Sequence, residues 1–401
     1  MRILVVNQYF HPDQASTSQL LTELCEDLAE HHDVTVVCGR PSYAPVEQRT
    51  GRGLVRRERH GDVEVLRTWS TSFDRGRIPG RVSNYGTYLA SSLVGIMRAE
   101  RPDVVLTMTD PPFVAAAAML ASRVRRVPFV YVNQDVFPEV ALTLGVLRDA
   151  STARALRALN GRLRRSAAAV VAIGRDMERR LLALGTPPER LHVIPNWADT
   201  ARIAPADGPS PFRAARGWED RFVVMHSGNV GLSQDLDTLI DAAELLRNEP
   251  EVLVAVIGEG GSKDALQERA RDLPNVVFLP YQPKAELSAS LGAADLHAVG
   301  LHRGLAGVIV PSKIYGIMAA GRPFVAAVEG DSEADLIVRE FGCGLRVDPG
   351  DPTALADGIR RARTMDLAAM GRRARLAAEQ RFDRRLATER YRLLLEQVAG
   401  N

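Results

Sequence analysis

Lysine is scarce in this chain. Lys263, Lys284 and Lys313 are the three lysines among 51 basic residues. Lys313 has the setting that most suggests chemistry. It lies in GLAGVIVPSKIYGIMAAGRPFVAA, where Pro311 stops a strand-like run. Ser312 and Lys313 then open an apolar helix that ends at Gly321, a C′ glycine followed by Pro323. An ammonium in the first turn opposes the helix dipole, and an anionic ligand would offset that cost. The loop HSGNVGLSQDLDTLI offers the complement. Gly228 and Gly231 free the backbone, Ser227 and Asn229 can hydrogen-bond, and a helix starts beside them. These are the parts of a diphosphate cradle. Asp235-Leu236-Asp237 imitates a metal-binding acid pair, but acids at a helix start read more simply as an N-cap region. VIGEGGSKDAL adds Gly258, Gly260 and Gly261 between a strand and a helix. Lys263 replaces the third glycine of a dinucleotide fingerprint, so this is a tight turn near a nucleotide, with Glu259 placed to accept from a base or sugar.

The first half of the chain presents a different chemistry. Its first loop, NQYFHPDQASTSQ, mixes polar side chains with small residues and then opens a helix; Asp13, Ser16 and Thr17 face a ligand, or Ser16, Thr17 or Ser18 caps the helix. TMTDPPFV and VNQDVFPEVALTLG follow apolar strands and present Asp110, Asp135 and Glu139. Each could position an acceptor hydroxyl or act as a base. The sequence has no GxSxG elbow, Walker loop or HExxH pair, and His11, His226, His297 and His302 are dispersed without metal spacing.

The elements that carry these loops repeat along the chain. Short apolar runs at Ile3–Val6, Val34–Val37, Val63–Leu66, Val104–Leu106, Phe129–Val132, Val170–Ala172 and His192–Ile194 alternate with helical patterns. Alternation of this kind predicts βαβ units in a doubly wound sheet. PADGPSP, at 205–211, breaks the pattern as a linker. A second series follows, with strands at Arg221–Met225, Val252–Ile257, Val276–Leu279, Leu296–Val299, Phe324–Ala327 and Gly344–Val347. The expected domains are 1–205, 206–381 and a tail, 382–401, with Leu386, Tyr391, Leu394 and Val398 on the buried face of its helix. Ligands of open α/β sheets bind at the carboxyl ends of the strands, which is where all of these loops lie.

Composition agrees with such a protein. The 401 residues suit two domains, and 46% hydrophobic with 25% charged is a globular balance. A net charge of +2 argues against a nucleic-acid binder held by bulk charge. Residues 1–205 nevertheless hold 27 arginines against 21 acids, which leaves the second half acidic. Arg123, Arg125 and Arg126, then Arg154, Arg157, Arg162, Arg164 and Arg165, form basic clusters suited to an anionic membrane surface. Cys25, Cys38 and Cys343 are too few for a disulfide framework or a zinc site and fit a reducing compartment. The start lacks a signal-peptide pattern, and no apolar run is long enough to span a bilayer, so a cytoplasmic protein, peripheral at most, is expected.

Taken together, NQYFHPD, DVFPEVALTLG, IPNW, HSGNVGLSQDLDTLIDAA, GEGG and VPSKIYGIMAAGRP resemble glycosyltransferase family 4 over nearly the whole chain. The likeness points to the branch that builds bacterial O-antigen and capsule. It implies a GT-B fold: two doubly wound Rossmann-like domains facing a central cleft, with a carboxy-terminal helix crossing back to the first. It also implies a nucleotide-sugar donor, UDP-linked, on the second domain and a saccharide or polyprenyl-linked acceptor on the first, with retention and no metal or other cofactor. Gly228, Asn229 and Gly231 would approach the diphosphate, Ser312 and Lys313 would hold its charge, and Glu259 would lie near the base or ribose. Asp110 is the first choice to position the acceptor.

The sequence departs from the family at several points. Val308 and Gly316 replace a pair of glutamates common in the family, Asn229 and Gln234 replace a cationic phosphate clamp, and Thr109 replaces a histidine. Lys313 is expected to take over the clamp, and Glu333 the lost ribose-binding carboxylate. The alternatives are a nucleotide-sugar 2-epimerase, which DVFPEVALTLG disfavours, and an inactive GT-B-like binding partner, which the missing glutamates motivate.

Overall fold

The computed structural model describes residues 1–13, 15–41, 53–71, 73, 78–109, 111–205, 208 and 210–400. Contacts divide these into two units, Met1–Pro195 with Arg385–Asn401, and Asn196–Arg384.

In the first unit, continuous apolar runs become parallel strands that are buried through the centre of the sheet, as a sheet covered on both faces requires. The strands are β1 (Arg2–Val6), β2 (Asp33–Gly39), β3 (Val55–His60), β4 (Val63–Thr68), β5 (Val104–Met108), β6 (Phe129–Asn133), β7 (Ala169–Ala172) and β8 (Leu191–Val193). Among the described residues they form one sheet in the order β3-β4-β2-β1-β5-β6-β7-β8. All pairs are parallel except β3 with β4. The order reverses between β1 and β5, so the loops after these two strands flank the switch point where open sheets bind ligands.

β3 has no counterpart in the sequence reading. Its residues, VRRERH, lack an apolar run because it is an exposed edge. It is held by charge instead: Arg57 pairs with Glu64 at 2.9 Å, and Arg67 pairs with Glu58. Charged side chains on an edge strand also discourage pairing with another chain.

The terminal helix, Arg384–Gly400, belongs to the first unit from Arg385 onward and buries Ala387, Thr388, Tyr391, Leu394 and Leu395. Leu386, expected on that face, is 40% exposed, because the buried stripe runs through Ala387 instead. The helix Ser16–Ala29 has Ala15 as its N-cap residue, with no side-chain cap, so none of Ser16, Thr17 and Ser18 caps it. Ser16 and Thr17 lie inside its first turn, and the Ser18 side chain is buried.

The second unit holds β9 (Phe222–Ser227), β10 (Val252–Ile257), β11 (Val276–Leu279), β12 (Leu296–Gly300), β13 (Phe324–Ala327) and β14 (Gly344–Val347). The described strands form a parallel sheet in the order β11-β10-β9-β12-β13-β14. Val224, Val254, Val256, Leu296 and Val325 pack against Leu239, Ile240 and Ala243 on one face, with Leu355 and Ile359 beside them. The switch point falls between β9 and β12. Their following loops carry the Gly228 segment and the run from Leu301 to Ser312, so the fold delivers both to one edge. Phe212 is buried against Trp218 and Val223, so ordered packing resumes directly after the expected linker.

Candidate active site

The cradle after β9 is built from backbone packed on backbone. Gly228 N–H donates to Ile257 O at 2.9 Å, and Val230 N–H donates to Glu259 O at 2.9 Å. Gly258 has φ of +149°, and a Cβ on it would lie 1.8 Å from Gly228 O. A Cβ on Gly260 would lie 2.1 Å from Val230 O. Only glycine lets these two loops lie this close. Gly231 N–H donates to Gln234 Oε1 at 3.1 Å, and Asn229 Nδ2 reaches the same oxygen at 3.3 Å. Gln234, read as standing in for a cation, instead folds the loop.

Asp235 sits at the N-cap position of the helix Leu236–Leu245 with φ of +48° and accepts from the Thr238 hydroxyl at 2.8 Å. Asp237 pairs with Arg269 at 3.1 Å. The two carboxylates of this Asp-Leu-Asp are therefore engaged by different partners.

Lys313 opens the helix Lys313–Ala319, and its ammonium points back to the cradle. Nζ lies 3.3 Å from His226 Nδ1 and 3.2 Å from His226 Nε2. A Cβ on Gly228 would meet this side chain, 3.5 Å from Cε and 3.7 Å from Nζ. No carboxylate among the described residues pairs with it. Burial lowers its pKa from 10.5 to about 7. His226 is fully buried at the end of β9, and burial followed by the Lys313 charge drives its pKa well below 6.5. His297, behind it on β12, is held neutral by burial, with a pKa of about 4. The site thus contains one strained cation backed by neutral imidazoles. The sequence reading found Lys313 but gave the buried histidines no role.

The acids around this edge fall into two groups. Glu259 is exposed but paired with Lys263 at 2.7 Å, and Lys263 also donates to Gly258 O at 2.9 Å. Lys263 therefore braces the turn, and Glu259 keeps an exposed position beside the cradle. Tyr281, after β11, is 45% exposed, and its hydroxyl donates to Glu259 O at 3.4 Å. This aromatic beside the Glu259 turn is a residue the sequence reading missed. Glu333 opens the helix Glu333–Phe341 and is only 2% exposed, so burial takes its carboxylate out of reach of a ribose here. Val308 is 1% exposed in the core, and Gly316 faces Leu291 and Ile203 side chains. Both former glutamate positions are apolar surroundings. Glu329, after β13, accepts from Gly304 N–H at 2.9 Å and Ala306 N–H at 3.3 Å. Nothing in the sequence pattern marks it, since its partners lie on a different loop.

In the first unit, Thr109 directly follows β5 and accepts from Gln134 N–H at 2.9 Å and Asp135 N–H at 3.2 Å. Asp135 follows β6 and is pushed up to about 6 by burial, moderated by its hydrogen bond with Thr109. Its Oδ1 is buried and has no hydrogen-bond partner among the described residues. Such a carboxylate is suited to proton transfer. Glu139 is 3% exposed, and its carboxylate binds Arg157 Nε at 2.7 Å, which makes it a structural ion pair rather than an available base. Asp13 is 4% exposed, within the electrostatic reach of Arg67 and Cys38, so burial holds it inside the first loop. Ser16 is exposed and Thr17 partly so. Asp110 lies outside the described residues.

Comparison with known proteins places these features. Residues 17–197 match the glycosyl transferase 4-like domain, and residues 221–364 match glycosyl transferases group 1. WbjE of Pseudomonas aeruginosa, named as a glycosyltransferase, is 33% identical over 298 residues, covering 73% of this chain and 74% of its own. WcaI of Escherichia coli K12, whose name assigns it to colanic acid biosynthesis, is 28% identical over 377 residues, 90% of this chain and 92% of its own. Among solved structures, Anabaena HepE in complex with UDP and glucose aligns with a TM-score of 0.74 at 20% identity, covering 99% of this chain and 100% of that one. WaaG, a lipopolysaccharide glycosyltransferase, aligns with a TM-score of 0.68 at 18% identity, covering 98% and 99%. With two Rossmann-like units of the GT-B type and matches to both domain families, the chain belongs to the family 4, group 1 glycosyltransferases.

Proposed function

We propose that this glycosyltransferase of polysaccharide biosynthesis moves an N-acetylated or deoxy hexosyl residue from a UDP-linked donor to a saccharide or polyprenyl-linked acceptor, with retention. The names of WbjE and WcaI support the setting, and the UDP and glucose bound to HepE support the donor class. The observation that carries the reading is Lys313, a half-buried ammonium with no carboxylate partner among the described residues, beside a glycine cradle.

As the bond from the anomeric carbon to the diphosphate oxygen breaks, negative charge grows on the leaving phosphate. Lys313 supplies the opposing charge at a fixed place, which is where electrostatic catalysis gains most. The anion in turn raises the lysine pKa, so the ammonium stays protonated when it is needed. Asp135 holds the acceptor hydroxyl and takes its proton as the new glycosidic bond forms. Transfer proceeds without a bound metal, a reading supported by the engagement of Asp235 and Asp237 with Thr238 and Arg269. Exposed arginines of the first unit hold the protein peripherally at an anionic bilayer, where a lipid-linked acceptor would lie.

The test is a thermal-shift and calorimetry panel of UDP, GDP, ADP and TDP with their glycosyl forms. UDP and a UDP-sugar should stabilise the protein, and Lys313→Met should abolish most of the shift. Absence of any shift with all four nucleotides overturns the donor reading.

A further inference from the structure

The loop from Leu301 to Ser312 runs from the diphosphate cradle to Lys313. It is tied down at several points. His302 N–H donates to Ser233 O at 2.9 Å, which joins it to the cradle. Arg303 Nη2 donates to Pro349 O at 2.8 Å. Its tip turns at Gly304 and Gly307, with φ of +88° and +71°, around the carboxylate of Glu329. Glu329 Oε2 accepts both Gly304 N–H and Ala306 N–H.

A carboxylate can accept at both oxygens. Here Oε2 is saturated by the loop, and Oε1 has no partner among the described residues. The neighbouring acids differ. Asp331 is paired with Arg339 at 2.6 Å, Asp348 is paired with Arg346, Glu259 is paired with Lys263 at 2.7 Å, and Glu333 is 2% exposed. Partly exposed Glu329 is thus a side chain fixed in position, with one acceptor oxygen to spare. It stands one loop away from the cation proposed to hold the diphosphate. Val308, in the same loop, is enclosed in apolar core and cannot serve.

We infer that Glu329 is a specificity-determining residue for the transferred sugar: Oε1 accepts hydrogen bonds from hydroxyls of a neutral hexosyl group, and its negative charge rejects nucleotide sugars that carry a carboxylate. The inference rests on the nucleotide-sugar reading above. An acceptor-only group selects donors, and hydroxyls are the donors a neutral hexose presents. A uronate in the same place would meet a like charge at close range, so the selection includes a repulsive element.

The experiment compares UDP, UDP-glucose and UDP-glucuronate binding to wild type and Glu329→Gln by calorimetry. Glutamine keeps an amide oxygen for Gly304 and Ala306, so the loop stays anchored; an unchanged melting temperature checks this. Glu329→Gln should leave UDP affinity unchanged and weaken UDP-glucose about tenfold, the scale of one hydrogen bond to a charged group. It should also narrow the gap between UDP-glucose and UDP-glucuronate. Equal loss for UDP and UDP-glucose means that Glu329 only anchors the loop, and overturns the inference. An unchanged gap between the two sugars overturns it as well. Failure of wild type to bind UDP strikes the donor reading instead, and is visible before any variant is made.

Discussion

The ammonium of Lys313 lies over the face of the His226 imidazole, 3.3 Å from Nδ1 and 3.2 Å from Nε2. Near-equal distances of this size exclude a position in the ring plane, which would overlap Cε1. The contact is therefore a cation on an aromatic face and not a lone-pair hydrogen bond. It works only while His226 is neutral, and burial keeps it so.

That contact sets a trade between stability and binding at Lys313. The unfolded chain holds this proton up to 10.5, and the folded protein releases it at about 7. Between those values the unfolded state binds more protons, so stability rises with pH; below about 7 the whole penalty is present. Lys313→Met should stabilise the ligand-free protein by about 1–3 kcal/mol at pH 6.5, flatten the alkaline rise, and weaken UDP about tenfold or more. Denaturant melts at pH 6.5 and 9.5, with calorimetry on UDP, check both halves. A destabilised Lys313→Met at pH 6.5 refutes the strained-cation account.

Asp135 has the opposite linkage. Its pKa rises from 3.8 to about 6 on folding, so the folded state keeps a proton that the unfolded state has lost. Stability should fall as pH climbs from about 4 to about 6. Asp135→Asn should remove that fall and lower kcat about 10²–10⁴-fold, the scale of general base catalysis. The acid limb of kcat/KM, expected near about 6 in wild type, should vanish with it. A limb that persists in Asp135→Asn assigns the base to another group.

These two residues show what the sequence could and could not convey. Lys313 stood out because it is rare and sits at a strand-to-helix junction, which is local information. Most of the parallel strands were legible for the same reason, since they are built on continuous apolar runs. β3 was not, because an edge strand reading VRRERH carries no apolar run. Asp135, Glu139 and Glu259 looked alike as acids near strand ends. What separates them is a partner distant in sequence or on the next helical turn: Thr109 for the first, Arg157 for the second, Lys263 for the third. Glu329 was invisible, because its placement depends on two N–H groups contributed by a loop 23 and 25 residues earlier.

The cradle glycines separate into strict and free positions. Gly258 and Gly260 are pressed against Gly228 O and Val230 O, whereas a Cβ on Gly261 meets nothing within 4 Å. Backbone cannot yield as a flexible side chain does. Gly258→Ala and Gly260→Ala should each cost about 1–3 kcal/mol and abolish UDP binding. Gly261→Ala should be neutral in both. Urea melts with UDP thermal shifts on the three variants decide it. Wild-type UDP binding by Gly258→Ala removes the close approach from the mechanism.

The basic face of the first unit narrows when its arginines are followed one by one. Arg164 is 4% exposed, and Arg125 donates to the carbonyls of Ile96, Met97 and Ala99, closing the end of the helix Ile78–Arg98. Arg157 is committed to Glu139. Arg154, Arg162 and Arg165 remain exposed along the helix Ala150–Ser166, and Arg123 and Arg126 at the end of its neighbour Val114–Arg125. On that neighbour, Leu120 and Val124 are 44% and 56% exposed and share a face with Arg123. Apolar side chains amid arginines suit a bilayer surface better than bulk water. Among the described residues no helix is long and apolar enough to cross a membrane. Each exposed arginine should contribute about 1 kcal/mol at an anionic leaflet. Arg154→Glu, Arg162→Glu and Arg165→Glu together should therefore abolish flotation with phosphatidylglycerol vesicles at low salt. Turnover on a water-soluble acceptor should be unaffected, because these side chains belong neither to the donor cradle nor to Asp135. Wild type should also leave the vesicles as salt shortens the screening length. Equal flotation of wild type and the triple variant, or none by either, rules out this face as the attachment surface.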